Sequence, residues 1–512
     1  MEQYSLSNPV SVLLDKPREE FTREDMIEVI RQKGIERITF HYIALDGKLK
    51  ELSLPVVNTY QAEQILTKGE RVDGSSLFKG IVDASLSDLY VVPVYKTAFI
   101  NPFDPCSLDF ICRYLTNEGE PAPFTLDNIL AKANKFFKKN TGLELHAFGE
   151  LEFFLIKDRE KSLFSKEDQG GYHASSPFLK SGDILHEMVR YITQITGSVK
   201  YAHSEVGYIK SIHSDISEIK DKEGEQLEIE FLPQPVDEAA DSLVLAKWLI
   251  RNVAYKYNSV ATFTPKIEEG VAGNGMHVHM ALMKNGKNIM RNKDNSELSA
   301  EAKQLIGGLC QYADSLTAFG NTVSSAYLRL VPNQEAPTRI CWSDLNRSAM
   351  IRVPLGWTKR IDMANIVNTQ QKEEMKDIQG QQTVELRTGD GSAIIHLLFA
   401  GITMAAEWGL TQKKSASIAE STYAEGNIFE NEKLLQTLTP LPQSCVQSSR
   451  ILLKNREFYQ RNQIFPESII DYVAGLLKEE NDEGMNNELS DLPADDRLVK
   501  TRDIMHKYLH RH

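Results

Sequence analysis

The sequence predicts an α+β fold built on an antiparallel-style sheet, and three observations carry that reading. Strand-length runs rich in β-branched and aromatic residues recur at HAFGELEFFLIK (146–157), QLEIEFLP (226–233), MHVHMALM (276–283) and TVELRT (383–388). Helical spacing recurs between them, at 125–138, 183–195, 238–257 and the small-residue run after Ser392, without the regular strand–helix–strand order of a parallel sheet. The composition, 41% hydrophobic, 25% charged and 8% aromatic over 512 residues, is that of a folded globular chain of roughly two to four domains.

Taken in order, Thr22 and Asp25 frame a helix start, Met26, Ile27 and Ile30 give it an apolar stripe, and Gly34 stops it. RITFHYIAL (37–45) then reads as a strand, Asp46-Gly47 as a tight turn and KLKELSLP (48–55) as the returning strand. Residues 89–94 supply a further strand, so the first hundred or so residues form a small mixed sheet with a helix. TNEGEPAP (116–123) is the best boundary, dividing the chain into 1–118 and 119–512. Three polar stretches, IKDKEG (219–224), 368–382 and KEENDEGMNNELSD (478–491), read as solvated surface, the last preceding a final charged helix.

Charge and apolar patterning exclude several classes. The formal net charge is −13, which argues against binding a nucleic-acid backbone. The longest strongly apolar stretch, 397–406, is about half a membrane span. The first residues, MEQYSLSNPV, lack the basic and apolar regions of a secretory leader. The five cysteines (106, 112, 310, 341 and 445) are odd in number and unclustered, as in a reducing compartment. The expected location is therefore cytoplasmic.

Residues two apart on a strand share a face. Glu150 and Glu152 therefore point the same way, as do His277 and His279. Each pair has an ordinary reading, a wet strand face for the carboxylates and two core imidazoles for the histidines. Phe148, Phe153 and Phe154 make the carboxylate neighbourhood an apolar one, which favours a bridging cation. Glu205, placed after a helical segment, and Glu228 and Glu385, on strands, are single carboxylates with the same two readings. Five carboxylates and one imidazole together suit two or three hard divalent ions, Mg²⁺ or Mn²⁺ rather than structural Zn²⁺. Such clusters serve phosphoryl transfer by neutralising charge on phosphate oxygens. Arg329, Arg347, Arg352 and Arg387 offer guanidinium forks for phosphate or carboxylate, or plain surface ion pairs. Neither a Walker-type P-loop nor a GxGxxG turn is present.

These residues lie in strings that resemble the glutamine synthetase family over nearly the whole chain. In order they are VDGSSLFKG (72–80), GELEFF (149–154), GGYH (170–173), HSEVG (203–207), EQLEIEF (225–231), FTPK (263–266), GNGMHVH (273–279), LRLVPNQEAP (328–337), WSDLNRSAMIRVP (342–354) and VELRTGDGSA (384–393). The resemblance is to a bacterial-type, insertion-containing branch. It implies a small N-terminal β-grasp-like domain and a large catalytic domain with a curved antiparallel sheet among helices. It implies ATP-dependent ligation of ammonia to glutamate through γ-glutamyl phosphate, with ATP as co-substrate and two to three Mg²⁺ (or Mn²⁺) per site.

The resemblance also carries roles residue by residue. Glu152, Glu205 and Glu228 resemble one set of metal ligands, and Glu150, His277 and Glu385 the other. Arg347, Arg352, Phe231 and His279 fall to ATP, and Arg347 also to catalysis. Gly273, Arg329 and Arg387 fall to the glutamate substrate. Asp73, Ser76, Tyr172, Glu205 and Glu335 fall to the ammonium pocket, with Asp73 as proton acceptor and Glu335 as a flap. Asp73 would complete a neighbouring subunit's site within hexameric rings stacked as a dodecamer.

Several positions depart from the family pattern. Ala272 and Ala281 replace the family's Asn and Ser, and Gly389 replaces a proline. Insertions fall near 208–224 and 357–382, the first leaving His213-Ser214-Asp215 as an alternative to Glu205. Phe429 stands where regulated members carry a modifiable tyrosine, so adenylylation is not expected there. Two further readings stay open: a γ-glutamyl ligase using a polyamine or other amine, and a non-catalytic ring protein.

Overall fold

The structure is a computed structural model that describes residues 4–83, 85, 87–160, 164–292, 297–331, 336–356, 363–373 and 381–511. After a short helix at Pro9–Leu14, helix Arg23–Lys33 begins where Thr22 accepts from the Asp25 amide while the Asp25 carboxylate accepts from the Thr22 amide, and it ends at Gly34 in a left-handed conformation.

The N-terminal sheet holds β1 (Arg37–Ile43), β2 (Leu49–Pro55), β3 (Glu70–Asp73), β4 (Asp88–Pro93), β5 (Phe99–Ile100) and β6 (Ser107–Leu115) in the order β2-β1-β6-β4-β3, with β5 also on β6. β1 runs antiparallel to β2 and parallel to β6, so the small mixed sheet expected from the sequence is present. Six of the seven β1 residues are buried, which explains why it reads as a continuous apolar run rather than an alternating one.

The larger sheet holds β7 (Glu144–Lys157), β8 (Val199–Ile209), β9 (Glu223–Phe231), β10 (Gln234–Pro235), β11 (Val260–Thr262), β12 (Met276–Lys284), β13 (Lys287–Asn288), β14 (Trp342–Asp344), β15 (Ile351–Val353) and β16 (Val384–Leu386). Its spine runs β14-β15-β16-β12-β7-β9-β8 and is antiparallel except at β14–β15. The long strand β7 lies at its centre. Helices Leu126–Thr141, Gly182–Thr196, Val236–Lys256, Ala300–Gly320 and Ile395–Thr411 surround the sheet, and one apolar core runs through both sheets and these helices. The fold is thus α+β, with a curled antiparallel sheet among helices.

The apolar run 397–406 is a core helix, not a span. Among the described residues no helix is long and apolar enough to cross a membrane. This helix crosses Ala300–Gly320 at near backbone contact, because Gly308 and Gly409 have no side chains there. A Cβ on Gly308 would stand 2.2 Å from the Ala405 carbonyl oxygen and 2.8 Å from the Gly409 Cα.

Two of the polar stretches are less wet than their composition suggests. Ile219 is fully buried, and Glu223 and Gly224 open β9. In 478–491, Asp482 is buried because it accepts from the Cys445 and Val446 amides at the start of helix Cys445–Lys454. Glu480 accepts from Ser324 and Tyr508. Carboxylates placed against free N–H donors and hydroxyls are satisfied inside the protein, and a charge count does not show those partners. In 368–382, residues 368–373 are mostly exposed, Gln382 is buried, and 374–380 lie outside the described residues. The final charged helix is present as Ala494–His506.

The helix crossing yields a paired expectation. Gly308→Ala should cost about 2–3 kcal/mol through forced separation of two helices, read as a lower thermal midpoint. Gly475→Ala, in a helix with no atom within 4 Å of the added methyl, should leave the midpoint unchanged or raise it. Equal midpoints for the two variants would contradict the packing argument.

Candidate active site

Strand alternation assembles the site. On β7, Phe148, Glu150 and Glu152 face one way, while Leu151 and Phe153 face the core. Register then places neighbours beside them. Glu150 stands opposite His277 on β12 and Glu230 on β9, and Glu152 stands opposite Glu228. His203 on β8 stands opposite Glu228, and Glu385 on β16 stands opposite His279. This face forms the floor of a cavity of about 850 Å³.

The polar atoms converge in three groups. Glu150, His279 and Glu385 form one, His203, Glu205 and Glu228 a second, and Glu150, Glu228 and Glu230 a third; within each, one ligand atom per residue lies within 4.8 Å of the others. Glu150 Oε2 lies 2.7 Å from His277 Nδ1, and its Oε1 lies 2.8 Å from His279 Nε2. His279 also stacks on Phe148 at 4.5 Å. Glu385 receives Arg387 Nη1 at 2.7 Å and Arg352 Nη1 at 3.0 Å. Glu152 accepts from the Gly275 amide at 2.7 Å and from Gln226 Nε2 at 3.3 Å.

Burial splits these carboxylates into two kinds. Burial alone would raise Glu150 and Glu385, but the imidazoles beside Glu150, and His279 with Arg387 beside Glu385, hold both below the usual carboxylate range. Burial, then the neighbouring Glu150, Glu152 and Glu205, pushes Glu228 well above that range. Glu152 and Glu230 are also raised, chiefly by burial. His279 is raised, because its Glu150 partner outweighs burial. A buried set of acids that repel one another, mixed with imidazoles, is a donor set that suits hard divalent cations.

The rim supplies the cationic side. Arg329 is buried and donates to the Thr388 carbonyl at 3.1 Å, and its Nη2 lies 3.3 Å from His277 Nε2. A Cβ on Gly275 would fall 2.7 Å from His277 Nε2 and 2.9 Å from Arg329 Nη2, so only glycine leaves room for both. Arg329, Arg352 and Arg387 reach the cavity from the same side as Glu385, and the exposed Arg347 stands at its edge. Ala272 and Gly273 also line the cavity, Gly273 beside the Arg329 side chain, and the half-exposed Tyr172 covers His203.

Twelve of the residues singled out in the sequence therefore meet in one cavity: Glu150, Glu152, Tyr172, Glu205, Glu228, Gly273, His277, His279, Arg329, Arg352, Glu385 and Arg387, with Arg347 at the mouth. Phe231 is not among them. Alternation along β9 turns it to the core side, one residue out of phase with Glu230, and it is 1% exposed; Leu232 and Pro233 line the cavity instead. Glu205 follows helix Gly182–Thr196 as expected, lies on β8, and is at the cavity. The alternative element at 213–215 lies elsewhere, with Ser214 bonded to His506. Asp73 and Ser76 are exposed on the N-terminal sheet and line no part of this cavity. The Asp73 carboxylate accepts from the Ser75 and Ser76 hydroxyls, which hold it down to about 2. Glu335 lies outside the described residues. Sequence reasoning missed His203 and Glu230. The signal for Glu230 was present, since it follows Glu228 by two on the same strand.

A curled antiparallel sheet whose polar face gathers carboxylates, imidazoles and guanidiniums, joined to a β-grasp unit, defines a cation-assisted, phosphate-handling enzyme class. The glutamine synthetase catalytic-domain model matches residues 128–492 and the glutamine synthetase beta-Grasp model matches 34–117. The chain belongs to the glutamine synthetase family. Glutamine synthetase of Aquifex aeolicus is 27% identical over 496 residues, covering 90% of this chain and 96% of that protein. Glutamine synthetase of Pyrococcus horikoshii is 30% identical over 403 residues, covering 78% and 79%. The cryoEM structure of Plasmodium falciparum glutamine synthetase superposes with a TM-score of 0.71 at 23% identity, covering 93% of this chain and 98% of that one, a likeness of fold.

The split titration gives a signed expectation. Glu228, Glu152 and Glu230 have raised pKa values in the fold, so they favour folding while protonated. That contribution is lost as pH rises from the ordinary carboxylate range through their raised values. Glu150 and Glu385, lowered, are ionised in both folded and unfolded chains across that window and add no slope. Cation-free protein should therefore lose thermal stability between about pH 5.5 and about pH 8, and Mn²⁺ should raise the midpoint more at the higher pH, with protons released on binding. Glu228→Gln should remove most of the difference. A Mn²⁺ effect equal at both pH values would contradict the assignment.

Proposed function

We propose that this chain ligates ammonia to the γ-carboxylate of glutamate at the expense of ATP, passing through γ-glutamyl phosphate and releasing glutamine, ADP and phosphate. The observation that carries the proposal is the convergence of Glu150, Glu152, Glu205, Glu228, His277 and Glu385 on one sheet face beside Arg329, Arg352 and Arg387. A carboxylate is a poor electrophile, and phosphorylation makes its carbon attackable. Bound Mg²⁺ or Mn²⁺, held by these six ligands, would neutralise charge on the transferring phosphoryl group.

The chain's own residues then divide the remaining work. Arg352 and Arg347 receive phosphate oxygens, with His279 on the same side. Arg329, Arg387 and the Gly273 segment orient the amino acid so that its γ-carboxylate faces the phosphate. Tyr172 and Glu205 lie where an ammonium ion would meet anionic and aromatic surface. Asp73 and Ser76, exposed on the N-terminal unit, serve a neighbouring copy's cavity in a hexameric ring, and ring pairs give a dodecamer. Asp73 accepts the proton that turns ammonium into the nucleophile ammonia. Glu335 closes over the acyl phosphate and keeps water out. Residues 1–118 and 119–512 act as the two domains. With no nucleic-acid or membrane partner, the site of action is the cytoplasm.

Purified protein with Mg-ATP, glutamate and ammonium should release phosphate and form glutamine in equal amounts. Turnover only with polyamines or other amines would favour the larger-acceptor ligase, and silence with every acid and amine would favour a non-catalytic ring. Asp73→Ala should lose most activity, on the order of a hundredfold. Co-assembly of Asp73→Ala with Glu228→Ala subunits should restore activity to about one quarter of wild type, the share of sites pairing one intact cavity with one intact neighbour. No recovery on mixing would place Asp73 outside the neighbour's site.

A further inference from the structure

The loop 263–275 joins β11 to β12 and carries Gly270, Ala272 and Gly273 onto the cavity wall. Its inner side is tied to the sheet. The Asn274 amide donates to the Pro265 carbonyl at 2.9 Å, and Asn274 Nδ2 donates to the Thr264 carbonyl at 2.9 Å. Gln226 Nε2 donates to the Gly273 carbonyl at 3.0 Å. These bonds hold the two ends of the loop; among the described residues its middle, 267–269, meets the sheet through the packing of Ile267 on Phe154, Ile156 and Ile209.

The middle is held from outside by helix Ala494–His506 and the turn after it. Arg502 Nε lies 3.1 Å from both oxygens of Glu268, and Arg497 pairs with Glu269 at 3.0 Å. His506 Nε2 donates to the Ile267 carbonyl at 2.9 Å while its Nδ1 accepts from Ser214 at 3.0 Å. Thr264 and Thr262 donate to the Met505 and Leu509 carbonyls at 3.1 and 2.7 Å. Ile267 and Leu509 share a small separate apolar cluster with Phe154, Ile156, Ile209, Ile212 and Ile219. Two further segments meet here. The helix lies beyond residue 492, where the catalytic-domain match ends, and Ser214, Ile212 and Ile219 belong to the insertion between Glu205 and Glu228. The same turn reaches Arg329: Tyr508 donates to Glu480 at 2.6 Å, and Glu480 accepts from the Ser324 amide and hydroxyl, just before the short helix Ala326–Arg329.

We propose that helix Ala494–His506, braced by the segment 208–224, is a positioning element for the amino-acid half of the site. It fixes the Gly273 loop and, through Glu480, the Arg329 turn at the spacing the acid substrate requires. None of its residues lines the cavity, so it acts through the loop and not on substrate. The contacts described above run to the Gly273 loop and the Arg329 turn, not to Arg352 or His279. Its effect is therefore confined to binding of the acid and leaves ATP binding alone. The inference rests on the reading above that Gly273 and Arg329 hold glutamate.

The test uses the full-length assembled protein with Arg502→Gln, Glu268→Gln, the double variant and the conservative Arg502→Lys. Hydrogen exchange over 263–275 should quicken in each single glutamine variant, with the double no faster than the singles and Arg502→Lys between them and wild type. The KM for glutamate should rise on the order of tenfold, with kcat and the KM for ATP within about twofold. Unchanged exchange, or equal loss for both substrates with a lowered thermal midpoint, would overturn the proposal. If wild-type protein turns over no glutamate, the reaction assigned above fails, and exchange alone then decides the helix: faster exchange confined to 263–275 supports it, unchanged exchange refutes it.

Discussion

The structure is organised around one costly arrangement, the burial of mutually repelling carboxylates on a single sheet face. Glu150 and Glu230 stand directly opposite each other across β7 and β9, and so do Glu152 and Glu228. Like charges opposed on adjacent strands destabilise a sheet, and burial removes the water that would screen them. Each flanking strand can be understood as an offset to that cost. β12 brings His277 and His279 to Glu150, and β16 with β15 brings Arg387 and Arg352 to Glu385. Lys200 on β8 reaches Glu230 at 2.7 Å. The far face of the same strands carries the apolar residues that anchor the sheet to its helices.

The offsets are uneven, and the unevenness has chemical content. Glu150, beside two imidazoles, and Glu385, beside His279 and Arg387, are held below the ordinary carboxylate range. Glu228 has four acidic neighbours, Glu150, Glu152, Glu205 and Glu385, and faces His203, itself lowered by burial, at 3.6 Å. The second group is thus a site of unrelieved negative charge, or of held protons, until a cation arrives. On the proposed reading, cation binding and folding stability are then linked quantities, because the cation removes a cost built into the folded state. The guanidiniums stand among the acids, Arg352 and Arg387 on Glu385 and Arg329 beside His277.

What was legible in the sequence follows from what a strand fixes locally. Alternation alone puts Glu150 with Glu152 and His277 with His279 on shared faces, and the helix at 23–33 announces itself through its cap residues. Register is not local. That Glu228 stands opposite Glu152, or that His203 joins them, depends on pairing between segments tens of residues apart, so Glu228 read as a lone carboxylate and His203 went unremarked. Phe231 goes to ATP by its place in a motif string, while alternation turns its side chain to the core and leaves Leu232 and Pro233 on the cavity. Glu480 and Asp482 read as surface because the donors that receive them, at 324, 445, 446 and 508, lie far away in sequence.

The position of Asp73 constrains assembly. The Asp73 carboxylate and the cavity occupy different surfaces of one chain, so if one serves the other, the contact joins two unlike patches. An isologous two-fold dimer would satisfy this only if both patches met at one axis. A heterologous contact instead repeats from copy to copy and must close on itself or run on as a filament. Closure into a ring is the arrangement in which every cavity finds one Asp73 and none is left over. The ring of the proposed function is therefore the simplest assembly consistent with a site whose cations and phosphate are handled by one copy and whose proton acceptor comes from the next.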